Sequence, residues 1–302
     1  MNIIFQIDGG IGKNIMATAV CKAIKKHYPD DKLIVVAGYP EVFVNNPYVD
    51  RCLHFGGTHY FYKDFMEGQK VRAFIHNPYV DTRFLNDEGH CIQTWIEMFG
   101  MKYAGEQPEL FLAKREKEYY LRNFSSDKPL MAIQTNGGAD GQEAAYSWAR
   151  DIPHETAQAV VDAFKDEYNV IHIRRQNQPA LNNTVSLTAT FREIATILEL
   201  SVKRLFMDSF AQHTAAALRL PSTVLWIANK PMQFGYMLHD NIVANPSTIE
   251  PDLRQSYLSK YNIAGNPLEF PYNSESEIFN TDEIIESVKS LTPLEPLLLE
   301  SK

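Results

Sequence analysis

The stretch Leu205-Phe206-Met207-Asp208-Ser209-Phe210-Ala211-Gln212-His213-Thr214-Ala215-Ala216-Ala217-Leu218 passes from an apolar strand directly into a helix with a polar start. Arg204 to Met207 reads as a strand covered on both faces, because its apolar residues do not alternate with polar ones. Asp208 and Ser209 suit the beginning of a helix, where a side-chain oxygen accepts from an otherwise unpaired N–H of the first turn. Ser209 and His213 are four residues apart and so share a helix face, and Ala215 to Ala217 allow close packing behind them. Unpaired donors and the positive end of the helix dipole at such a start stabilise an anion such as a diphosphate. Taken alone, the same residues also fit a plain helix cap with a packed surface histidine.

Strand-then-helix units recur on both sides of this stretch. Toward the N-terminus lie strand Leu130 to Gln134, the glycine pair Gly137 and Gly138, a helix from Glu155 to Tyr168, strand Val170 to Ile173 and helix Phe191 to Leu200. Helix Ala211 to Leu218 and strand Thr223 to Ile227 follow, and the polar tail from Glu269 holds one further helix at Asp282 to Leu291. The front of the chain repeats the pattern. Strand Ile3 to Ile7 precedes Gly9, Gly10 and Gly12, then comes a helix through Ile15, Ala19, Ala23 and Ile24, strand Leu33 to Ala37, apolar runs at Arg51 to Phe55 and Val71 to Ile75, and helical periodicity from His90 to Phe99. Such alternation predicts parallel sheets with crossover helices. A chain of 302 residues suits two domains. The polar stretch Ser125 to Pro129 is the expected linker, giving domains at 1–125 and 126–302. Asn-Pro-Tyr-Val-Asp occurs twice, at Asn46 to Asp50 and Asn77 to Asp81, and both copies read as turns leading into strands.

Composition narrows the function classes. A formal net charge of −8 repels phosphate backbones and counts against nucleic acid as a general partner without excluding a local basic face. Cys21, Cys52 and Cys91 are odd in number and widely spaced, which fits reduced thiols in a cytoplasmic protein. No run of about 18 apolar residues occurs, so no membrane span is expected.

The glycine turn Asp8-Gly9-Gly10-Ile11-Gly12-Lys13-Asn14 fails two familiar motifs. A phosphate-gripping Walker loop needs Gly and Ser or Thr where Ile7 and Asn14 stand, and a dinucleotide fingerprint needs Gly at Ile15 and an acidic residue where Ala37-Gly38 ends the second strand. Its glycines fit an anion-facing turn and tight strand-to-helix packing equally.

The order of several motifs resembles one family. Asp208-Ser209, His213, Ala215-Ala216-Ala217-Leu218 and the Arg219-Leu220-Pro221 turn are similar to the Asp-Thr/Ser-Gly-x-x-His-x-Ala-Ala-Ala signature of the ADP-heptose transferases, glycosyltransferase family nine. Gly10-Ile11-Gly12 with Tyr28-Pro29, Asn46 to Asp50, Gln134-Thr135-Asn136-Gly137, Trp148 to Pro153 and Ser186-Leu187 resemble further family motifs in the expected order, covering about residues 1 to 235. Two positions depart from it: Lys13 stands where the family has an Asp taken as the base, and Phe210 replaces the signature glycine.

This resemblance implies an α/β protein of GT-B architecture, with two Rossmann-like parallel-sheet domains facing a cleft, acceptor on the first and donor on the second. It implies a glycosyltransferase that moves a hexosyl, heptosyl or pentosyl group from a nucleotide-diphosphate sugar to a hydroxyl acceptor, a saccharide or lipid-linked glycan, with no cofactor. No Asp-x-Asp triplet is present, so cations and a helix start are expected to replace a metal at the leaving diphosphate. The expected donor-binding residues are Gly12, Asn136, Gly137, Arg150, Arg174, Asp208, Ser209, Gln212 and His213. Asp8, at the end of the first strand, is the candidate base or else a cap of its turn, and Lys13 a candidate anion contact. Three other functions stay open: a sugar-nucleotide epimerase of the same fold, a binding protein that has lost catalysis, and a transferase acting on modified DNA bases.

Overall fold

A computed structural model describes residues 1–56, 58–123, 127–137, 148–245 and 272–292. Gly138 and part of the expected linker, residues 124–126, lie outside them. Packing separates two compact units: Met1–Ala113 with the short returns Ala216–Leu218 and Met232–Phe234, and Lys114–Ala215 with Arg219–Pro231 and Gly235–Lys302.

The first unit contains β1 (Asn2–Ile7), α1 (Ile11–His27), β2 (Lys32–Ala37), β3 (Arg51–His54), α2 (Phe61–Phe65), β4 (Val71–Phe74), α3 (Thr82–Leu85) and α4 (Cys91–Met98). Its four strands are all parallel in the order β3-β2-β1-β4, with Ile3 opposite Leu33 and Arg72. β1 and β2 are central, and Ile3, Phe5, Ile7, Leu33 and Val35 are buried there. Phe5 meets Trp95 of α4 edge to face, with centroids 5.4 Å apart. In both Asn-Pro-Tyr-Val-Asp copies the Asn side chain accepts from the N–H two residues on, at 2.9 Å for Asn46 and 3.1 Å for Asn77. The first copy leads into β3. The second leads instead into α3, because Asp81 accepts from the Arg83 N–H at 3.0 Å and caps a helix.

The second unit contains α5 (Lys114–Asn123), β5 (Leu130–Gln134), α6 (His154–Phe164), β6 (Asn169–Ile173), β7 (Val185–Leu187), α7 (Phe191–Leu200), β8 (Lys203–Met207), α8 (Phe210–Ala217) up to Ala215, β9 (Thr223–Trp226), the first residue of α9 (Pro231–Phe234), β10 (Asp240–Val243) and α10 (Thr281–Ser290). Its six parallel strands run β10-β9-β8-β5-β6-β7. Counting from β5, this is the 3-2-1-4-5-6 order of nucleotide-binding sheets, so the strand order reverses between β5 and β8, where such sheets bind ligands. Residues alternate across β5: Met131 and Ile133 pack toward α6 and α10, and Leu130 packs with Ile171 and Ile197 of α7 on the other face. Ser186-Leu187 lies in the short edge strand β7, where Val185 is exposed.

Two buried cations hold strand ends. The Arg204 guanidinium, almost fully buried, donates to the Pro221 carbonyl at 3.0 Å, to Leu198 at 3.2 Å and to Ser201. Lys203 Nζ donates at 2.6 Å to the carbonyls of Lys289 and Leu291 at the end of α10. Arg204→Leu should strand three carbonyls without a donor and cost roughly 2–4 kcal/mol. A lower urea midpoint checks this.

Candidate functional site

The residues after β5, β6 and β8 form one polar knot at the point where the strand order reverses. At the start of α8, Ser209 Oγ accepts from the Ala211 N–H at 3.3 Å and donates to Gln134 Oε1 at the end of β5. Asp208 extends the sheet, its N–H donating to Leu225 O at 3.1 Å. Its carbonyl accepts from Arg150 Nη2 at 3.0 Å, and its carboxylate accepts from the same nitrogen at 3.4 Å and from Asn229 Nδ2. The Asp208 side chain is 5% exposed and that of Arg150 24%.

Gly137 allows this meeting. A Cβ built there would lie 2.7 Å from Asp208 O, 2.9 Å from Arg150 O and 3.0 Å from Arg150 Nε. Its N–H donates to Arg150 O at 2.7 Å and to Asp151 Oδ1 at 3.1 Å. The Asp151 carboxylate is fully buried and pairs with Arg175 Nη2 at 2.7 Å. Asn136 and Asp151 face each other in an isolated antiparallel bridge. Arg150 therefore pairs with Asp208, while its neighbour Asp151 pairs with Arg175. Beneath the knot, Gln178 Nε2 donates to Thr135 Oγ1 at 2.7 Å and His172 Nε2 lies 3.0 Å from that oxygen. Asn136 Oδ1, Arg150 Nε, Arg175 Nε and Nη1, and Gln178 Oε1 are buried with no hydrogen-bond partner among the described residues, a concentration that suits a polar ligand-binding region.

The other expected donor residues sit differently. Arg174 turns away from the knot, with Nε on Ser186 Oγ at 3.0 Å and Nη1 on the carbonyls of Arg175, Gln176 and Gln178. Gln212 and His213 are buried along α8, where His213 Nδ1 lies 2.8 Å from the Tyr236 hydroxyl and His239 Nε2 lies 3.0 Å from Gln212 O. Burial depresses both His172 and His239 to about 4, Arg174 adding to the effect at His172. Sequence reading missed Asp151, Arg175, Gln178 and Asn229 as members of the knot.

Gly12, Asp8 and Lys13 belong to the first unit. Gly9 takes a φ of +80°, which lets β1 turn into α1. Gly12 lies in the first turn of α1. The buried Lys13 ammonium pairs with the Asp8 carboxylate and lies 5.1 Å from the Tyr79 ring centre and 5.6 Å from that of Trp95, so its charge is held by a carboxylate and two π-faces. Asp8 is 59% exposed. Among the described residues no group of three His, Cys, Asp or Glu side chains is arranged to hold a metal, and no helix is long and apolar enough to cross a membrane.

Two all-parallel sheets, with the second in nucleotide-binding order, match solved structures across nearly the whole chain. The fold is GT-B. A family 9 glycosyl transferase from Veillonella parvula DSM 2008 is similar with a TM-score of 0.66 at 13% identity, over 96% of each chain. The E. coli ADP-heptose LPS heptosyltransferase II is similar with a TM-score of 0.68 at 15% identity, over 96% of this chain and 98% of that one. The E. coli heptosyltransferase WaaC solved with ADP is similar with a TM-score of 0.56 at 12% identity, over 81% of this chain and 94% of that one. No family model matches the sequence, and no curated protein matches it. At these identities the likeness is one of GT-B fold, and function has to be argued from the site.

Gly137→Ala should cost about 1–3 kcal/mol, because the new methyl meets main chain on two sides. Gly89→Ala is the control, since its Cβ would meet only Gln93 Oε1 at 3.7 Å, an ordinary contact. Thermal midpoints of the two variants check this. The depressed His172 and His239 leave the unfolded chain binding more protons than the folded one between about pH 6.5 and 4, so stability falls as pH falls through that window by up to ~3 kcal/mol per histidine. His172→Gln should flatten the midpoint-versus-pH curve.

Proposed function

We propose that this chain is a glycosyltransferase, a divergent relative of family nine, that moves a sugar from a nucleoside-diphosphate donor to a hydroxyl acceptor. The observation that carries the reading is the Arg150 guanidinium held at the start of α8, at the reversal point of a GT-B donor-type sheet. Family order in the sequence motifs and the similar heptosyltransferase folds support it.

In the proposed transfer, the acceptor oxygen bonds to the anomeric carbon while the bond from that carbon to the diphosphate oxygen breaks. The leaving diphosphate takes the electron pair, and the acceptor proton goes to a base. Arg150 and the N–H groups opening α8 stabilise the charge growing on the diphosphate, so the step runs without a metal. Asn136, Gly137, Ser209 and the α8 residues Gln212 and His213 shape the donor region. Asp8 is the proposed base, its exposed carboxylate held in place by Lys13. An ammonium so paired serves as an orienting charge and not as a proton acceptor. The proposed acceptor is a saccharide or a lipid-linked glycan.

A thermal-shift panel of nucleoside-diphosphate sugars tests the donor, since a ligand that prefers the folded state raises the midpoint. The binding donor should then deliver its sugar to an acceptor in a reaction that EDTA does not slow, and Arg150→Ala should weaken donor binding by about tenfold or more. A donor sugar altered without any acceptor would make the protein an epimerase. A panel in which no nucleotide sugar shifts the midpoint would end the proposal.

A further inference from the structure

Arg150 and Asp208 were both expected to touch the donor, yet their surroundings assign them different tasks. Asp208 is a buried carboxylate, and a diphosphate arriving beside it would meet a like charge in a region of low dielectric. Its Oδ2 is taken up within the protein, accepting from Asn229 Nδ2 and from Arg150 Nη2. That same Nη2 also donates to the Asp208 main-chain carbonyl, so Asp208 grips one corner of the guanidinium through two oxygens. Behind the fork, Gly137 leaves room for Arg150 Nε. With Nη2 fixed, Nη1 makes no hydrogen bond to any of the described residues, and Arg150 keeps 24% of its side chain exposed while Arg175 keeps 5%. A planar guanidinium fixed at one edge presents its other donors in a set direction, the arrangement that recognises phosphate oxygens.

We propose that Asp208 is a positioning residue that acts through Arg150, aiming the guanidinium at the donor's diphosphate, and that Asn229 fixes Asp208 for this task. The inference rests on the reading of this site as a nucleoside-diphosphate site. It takes Asp208 out of direct contact with the donor and adds Asn229, which neither motif nor spacing marked.

A double-mutant cycle separates acting through Arg150 from touching the ligand. ADP, UDP and GDP are titrated into the full chain by calorimetry, and the tightest is carried into Asp208→Asn, Arg150→Ala and the double variant. In the wild-type background Asp208→Asn should weaken binding ~tenfold, the loss of one charge-assisted contact. In the Arg150→Ala background the same change should weaken it by less than ~twofold, because its target is gone. Asn229→Ala should show the same pattern and gives a second cycle should Asp208→Asn fail to fold. Equal losses in both backgrounds would mean that Asp208 contacts the ligand or merely supports the fold, and would overturn the proposal while leaving the donor site intact. If none of the three diphosphates binds the wild type, the nucleotide reading is wrong and the proposal falls with it.

Discussion

Everything at the candidate site depends on three stretches of main chain meeting where position 137 has no side chain. Any Cβ there would sit 2.7 Å from one carbonyl oxygen and 2.9 Å from another, and neither can move without moving the end of β8 or the segment before α6. Because the three segments touch, the Gly137 N–H can bridge the Arg150 carbonyl and the Asp151 carboxylate, and Arg150 can reach Asp208. A missing methyl thus fixes where a cation stands.

The charges around that contact are arranged in pairs that bury one partner more than the other. Asp151 is sealed and neutralised by Arg175, a pairing that avoids the large cost of an isolated buried carboxylate. Asp208 is sealed as well, but its partner Arg150 stays partly open. The first unit has the reverse arrangement, a buried ammonium under an exposed carboxylate. In the second unit the cation is the more open member of its pair, and in the first unit the carboxylate is.

The strands at the centre of each sheet were legible because both faces are covered, so their residues are apolar without a break, as at Ile3 to Ile7 and Leu130 to Ile133. The edge strands of the second sheet carry no such signal. β7 and β10 are three and four residues long with exposed Val185 and Val243, and nothing in so short a stretch distinguishes strand from loop. The turn at Asn77 to Asp81 was legible as a turn, but its exit was not, since one Asp can end a turn before a strand or cap a helix.

By itself the sequence determined the fold class, the two sheets and the places where strands give way to glycine or to a polar helix start, because periodicity and turn chemistry are local properties of the chain. Which side chains meet was decided only by the tertiary structure. Arg174 and Arg175 are adjacent and chemically identical, yet one ties a loop to β7 and the other enters the knot beside Asp151, as neighbouring residues leaving a strand point opposite ways. Arg150 likewise had an acidic neighbour in sequence and found its partner 58 residues away. Pairing across that separation is set by strand order and close approach, which no local pattern records.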